Sequence, residues 1–102
     1  MYSVCMNRFK FEWDTEKGKA NTQKHGITFE EAQTVFYDEH AIQFFDPEHS
    51  KDEDRFILLG TTFKSQTLVV CQCFREEETK VRIISARKAD RDEQHAYWSE
   101  RK

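Results

Sequence analysis

One proline and three glycines in 102 residues leave no room for a Pro-rich or Gly/Ser-rich linker. The chain therefore reads as one domain with a single modest core. Its three cysteines, Cys5, Cys71 and Cys73, are odd in number and unlike a disulfide framework, so a reducing cytoplasm is the expected setting. Cys71-Gln72-Cys73 puts two thiols on one side of a strand, yet no second pair completes a zinc site. His25, His40, His49 and His95 are scattered, and neither a metal nor a cofactor is expected. No apolar run approaches the roughly 20 residues of a membrane span. The opening "MYSVCMNRF" has no signal-peptide core. A phosphate-cradling Gly-rich loop, a nucleophile elbow and a His-Glu-x-x-His pair are all missing, which excludes the enzymes built on them.

Aromatic residues are plentiful instead. Nine Phe, three Tyr and two Trp supply bulky core material to a chain that is 34% charged, and argue against disorder. The net charge of −3 hides a segregation. Residues 1–27 balance at +2, residues 28–54 at −8 and residues 55–102 at +3. Two basic segments that met on one face would bind an anion despite the overall sign; separated, they would only solvate the surface.

Periodicity gives the elements. "RFKFEW" alternates, with Phe9, Phe11 and Trp13 on one side of a short strand and Arg8, Lys10 and Glu12 on the other. Residues 1–7 are expected to be an N-terminal extension, and 8–102 the domain. Asp14 is a good N-cap for a helix over 15–25, and Gly26 suits the left-handed residue past its end. Gly18 costs that helix about 1 kcal/mol relative to Ala. Thr28 and Glu31 form a capping box for a second helix, whose apolar face is Phe29, Ala32, Val35 and Phe36. Strands are predicted at 41–45, 55–63, 67–74 and 80–87, followed by a helix over 89–100. The order β-α-α-β-β-β-β-α predicts an α+β fold, with a curled antiparallel sheet and helices packed mainly on one face.

The first predicted helix is unusual. Between Asp14 and Gly26 its only apolar side chain is Ala20, while Lys17, Asn21 and Lys24 fall close to one face with His25 nearby. Lysine binds phosphate as a point charge, and Asn can donate to phosphate or base edges. A solvated face explains the same pattern, with His25 and Lys24 merely favouring the helix C-terminus. The other basic source is "KVRIISAR". A regular strand would put Arg82 and Arg87 on opposite sides, so a bulge is needed for them to share a site. Otherwise Arg82 pairs with Glu93 or an acid of 28–54, and Arg87 is surface.

Three separated motifs resemble one family. Trp13-Asp14, Lys17, Asn21, Lys24-His25-Gly26, Phe29 and Ala32 are similar to the opening signature of BrnT proteins, the toxins of a type II toxin–antitoxin module. Asp46-Pro47, His49-Ser50, Arg55 and Gly60 resemble its middle. Arg82, Ser85, Ala86, Arg87, Glu93 and Tyr97 take matching places in its closing motif.

The resemblance implies a RelE-like fold and ribonuclease activity that stops translation. It also implies neutralisation by a cognate antitoxin with a DNA-binding domain, so that DNA is met only through the antitoxin. The reaction expected is metal-independent cleavage in which the RNA's own 2′-OH attacks, needing a base, an acid and cations around the phosphorane. On this reading Lys24, Arg55, Arg82 and Arg87 are the candidate cations and His25 the acid or base by its intrinsic pKa. Tyr97 is a reserve acid or a base-stacking platform, and Lys17, Asn21 and Lys24 bind RNA. Glu30, Glu31, Asp38 and Glu39 of the acidic segment are candidates for facing a basic antitoxin. The rival expectation is a non-catalytic antitoxin-binding module that shapes an operator-binding complex.

Overall fold

A computed structural model of the chain describes residues 10–75 and 79–100, with nothing said of the Glu100 side chain. The expected extension, together with Arg8, Phe9 and the acidic run 76–78, lies outside the described residues. Strand β1 (Lys10–Glu12) leads into helix α1 (Thr15–His25). Helix α2 (Phe29–Gln33) continues as a 3-10 turn over Thr34–Tyr37. Strands β2 (Ile42–Phe45), β3 (Phe56–Thr61), β4 (Thr67–Arg75) and β5 (Lys80–Lys88) follow, and helix α3 (Arg91–Glu100) is the last described element. No described helix is long and apolar enough to cross a membrane.

The helix starts obey local rules. The Asp14 carboxylate accepts from the amides of Glu16 and Lys17, and Gly26 sits past the end of α1 at φ 72°. Thr28 likewise accepts from the Glu31 amide to open α2.

The strands form one sheet in the order β1-β5-β4-β3-β2. It is mixed, which corrects the expectation of an antiparallel sheet: β1 lies parallel to β5, with Glu12 beside Arg82. A parallel pair needs a long crossover, and here the whole of α1 through β4 supplies it. The helices pack mainly on one face, as expected, with one exception. Helices α1 and α2 cover one face, where Ile27, Phe29, Ala32, Val35 and Phe36 pack on Leu58, Leu68, Val70, Val81, Ile83 and Ala86. Helix α3 takes the opposite face, where Ala89 and Tyr97 meet Leu59 and Val69. Each fully buried large apolar side chain of these clusters is worth about 1.5–3 kcal/mol. Gly60 admits the close approach of β3 to the α2 end, since a Cβ there would lie 2.9 Å from Val35 and 3.0 Å from Ala41 and Asp38.

Helix α1 has no apolar stripe because a polar clamp replaces it. Asn21 is buried, and its Nδ2 donates to the carbonyls of Ile27 and Ala86, both at 2.9 Å. Its Oδ1 accepts from the Ala86 amide at 3.0 Å. Strand β1 pairs with β5 only as far as Arg82. The Asn21 amide thus satisfies backbone groups farther along β5 that the short β1 does not reach, as a neighbouring strand would.

Candidate active site

The site begins with one extra residue in β5. Cys71 of β4 faces Ser85, but Gln72 faces Ile83, so Ile84 is a bulge. Before it Val81 and Ile83 point into the core; after it Ala86 does. The phase slips by one, and Arg82 and Arg87 end on the same face of the sheet. Cross-strand pairing shows this directly: Arg82, Ser85 and Arg87 stand opposite Cys73, Cys71 and Val69, which alternate along one side of β4.

On that face lies an open cleft of about 320 Å³. Ile57, Val69 and Ile84 contribute apolar surface, and Asp46, His49, Arg55, Ser85 and Arg87 bring polar groups to it. The connection from β2 to β3 supplies three of these. Pro47 starts a 3-10 turn, which brings His49 back so that its Nδ1 lies 2.9 Å from Asp46 Oδ2. The Ser50 hydroxyl donates to the Asp46 carbonyl and accepts from the Arg55 amide. The Asp46 amide donates to the Arg55 carbonyl at 2.9 Å. The ends of the loop are thereby tied together, which fixes His49 and Arg55 on one rim. With Nδ1 against a carboxylate, a neutral His49 carries its proton there and leaves Nε2 as an acceptor.

The two cleft arginines differ. Arg55 has its Nε buried without a hydrogen-bond partner among the described residues, and reaches Glu53 only at 3.8 Å. Arg87 donates both terminal nitrogens to the Glu93 carboxylate, each at 2.8 Å. That hydrogen-bonded pairing raises the Arg87 pKa and holds the Glu93 carboxyl below its ordinary range. Glu93 also accepts from the Asp90 amide, while Asp90 accepts from the Glu93 amide, a reciprocal cap at the start of α3. Cys71 forms part of the cleft wall, where burial pushes its thiol up, so it is not a ready thiolate nucleophile. Asp46, Glu48 and His49 have donor atoms within 4.8 Å of one another, a grouping that could hold a metal ion.

The remaining predicted residues fall elsewhere. Lys17, Asn21, Lys24 and His25 do not line the cleft. Lys17 and Lys24 are exposed on α1, His25 is half-buried at its end, and Asn21 is consumed by its clamp. Arg82 shares the cleft face but binds Glu12 at 3.3 Å, not Glu93. Tyr97 is fully buried and donates to Asp38, so it presents no ring for a base to stack on. Of the acidic candidates Glu30 and Glu39 are exposed and Glu31 is half-buried. Asp38 is occupied with the Thr61 amide and hydroxyl as well as Tyr97. Sequence reasoning overlooked His49 as a candidate acid–base group in this cleft. The spacing Asp46-Pro47-x-His49 was its signal, because a turn begun by proline returns the third residue to the aspartate.

Comparison with known proteins agrees with this architecture. A family model described as the ribonuclease toxin BrnT of type II toxin–antitoxin systems matches residues 13–93. Among solved structures, the chain is similar to the Brucella abortus ribonuclease toxin BrnT, with 22% identity and a TM-score of 0.62 over 81% of this chain and 99% of that one. No curated protein sequence matches. With a fold of that kind and a match over most of its length, this chain belongs to the BrnT family of ribonuclease toxins of type II toxin–antitoxin systems.

Proposed function

We propose that the chain is a metal-independent endoribonuclease on a RelE-like scaffold, which cuts RNA in the cytoplasm and so inhibits translation. A cognate antitoxin carrying a DNA-binding domain would neutralise it. The observation that carries this reading is the cleft itself: Arg55 and Arg87 line it together with a histidine backed by a carboxylate. His49 Nε2 takes the proton of the 2′-OH, O2′ bonds to phosphorus, and the P–O5′ bond breaks. Water protonates the departing O5′, leaving a 2′,3′-cyclic phosphate and a 5′-OH. Arg55 and Arg87 meet the charge that builds on the phosphorane, where the planar fork of arginine is well suited to phosphate oxygens. Arg82 adds positive charge on the same face. His49 thus replaces His25 in the catalytic role, and Lys17 and Lys24 are left as remote electrostatic contributors.

The purified chain is incubated with RNA in EDTA, and the fragments are offered to a polynucleotide kinase without prior phosphatase. Cleavage with direct 5′ labelling supports the mechanism. Loss of cleavage in EDTA would instead assign the Asp46–Glu48–His49 group to a metal.

A second reading has one observation in its favour. The Glu93 carboxylate already neutralises Arg87, as suits a toxin fold working mainly as an antitoxin-binding co-repressor. Intact RNA from folded protein, alongside a tight antitoxin complex, would select it.

A further inference from the structure

We propose that Phe44 is a nucleobase-stacking subsite beside the cleft, so that the RNA strand enters across β2. The inference rests on the ribonuclease reading for its ligand and adds a residue to it. Phe44 stands directly opposite Ile57 in the β2–β3 ladder, and Ile57 lines the cleft. Its side chain therefore projects on the cleft face, one strand spacing of about 4.8 Å to the side.

Phe44 is 47% exposed, a large apolar ring left in water. Single exposed apolar residues are common and need no explanation. This one differs in its neighbours. The next residue, Phe45, alternates to the other face and packs edge-on against Phe56 at 5.6 Å, which continues to Phe74 at 5.5 Å. Phe44 takes no part in that ladder and makes no ring–ring contact among the described residues. It is thus an exposed aromatic surface one strand away from a cleft lined by Arg55 and Arg87.

Charge selects the occupant. The cleft face carries Arg55 and Arg87, and beyond them Arg75 and Arg82 around Glu12. Glu93 holds Arg87 and Glu12 holds Arg82, whereas the Arg55 Nε has no hydrogen-bond partner among the described residues, which leaves Arg55 the readiest cation for a phosphate. An exposed π-face next to arginines fits a single-stranded polyanion, whose phosphate sits between the guanidinium groups while the adjoining base lies on the ring. Since every base has a π-face, this subsite would favour unpaired RNA more than a particular sequence.

The test uses a short fluorescent 2′-O-methyl oligonucleotide, which cannot be cut through its 2′-oxygen, and reads binding by anisotropy. Phe44→Ala should weaken binding by about 5- to 100-fold, while Phe44→Trp retains it. Removing one base from the oligonucleotide should weaken wild-type binding by a similar factor and leave the Ala variant unaffected. Equal affinity of wild type and Phe44→Ala, or the same loss from the abasic position in both, overturns the proposal. So does a Phe44→Ala protein that keeps RNA affinity but releases its antitoxin. A protein that shows the predicted binding pattern yet leaves ordinary RNA intact refutes the nuclease reading alone. One that cuts RNA without the pattern refutes the subsite alone.

Discussion

Both terminal nitrogens of Arg87 are held by the Glu93 carboxylate at 2.8 Å, and Glu93 sits in the first turn of α3. On the proposed ribonuclease reading, the last helix sets how much charge Arg87 offers to phosphate. Glu93→Gln should free Arg87, tighten binding of a non-cleavable RNA and steepen its salt dependence by about one counterion. The same change weakens the reciprocal cap of α3, at about 1 kcal/mol in a denaturant melt. Unchanged salt dependence would show that Glu93 does not restrain Arg87.

The Tyr97–Asp38 contact predicts a pH-dependent stability. Burial pushes the Asp38 carboxyl upward, but hydrogen bonds from Tyr97, the Thr61 and His40 amides and the Thr61 hydroxyl outweigh it and hold the pKa below its ordinary value. A group whose folded pKa is depressed stabilises the fold above its unfolded pKa. The contribution fades as pH falls through the folded value. Tyr97→Phe removes a hydrogen bond to a charged group and should cost roughly 1.5–3 kcal/mol near neutrality. The difference from wild type should shrink below about pH 4. Urea melts at pH 7 and pH 3 check this; a constant difference would contradict it.

Asn21 and Gly18 should behave in opposite ways. Asn21→Ala leaves the Ala86 backbone groups and the Ile27 carbonyl without their side-chain partner, and should lower stability by roughly 2–4 kcal/mol. A Cβ at Gly18 would lie 3.5 Å from Phe29 and 3.6 Å from Trp13, ordinary van der Waals distances. Gly18→Ala should therefore stabilise the chain, by up to about 1 kcal/mol. Equal stability of both variants in a thermal melt would refute the clamp.

These two residues show how far local signals carry. The ends of α1 and the start of α2 were legible because Asp14, Gly26, Thr28 and Glu31 act within a few residues of the backbone they cap. The meaning of its polar face was not. Asn21 looks like a surface amide until β5 arrives from 65 residues away. The parallel β1–β5 pairing and the crossing of α3 to the second face are long-range in the same sense. Arg82 and Arg87 posed a definite question of phase, and one unpaired residue, Ile84, answers it. Strict alternation could state the need for a bulge but not locate it. Tyr97 reads as a polar aromatic and proves to be core, because Asp38 satisfies its hydroxyl inside the fold.

Single substitution of the two rival histidines tests the site most directly. His49→Ala should reduce the rate of RNA cleavage by about 10²–10⁴-fold, whereas His25→Ala, at the end of α1 and outside the cleft, should leave it unchanged. Both proteins should melt as wild type does. Full activity in folded His49→Ala, with activity lost in His25→Ala, would contradict the assignment of catalysis to this cleft.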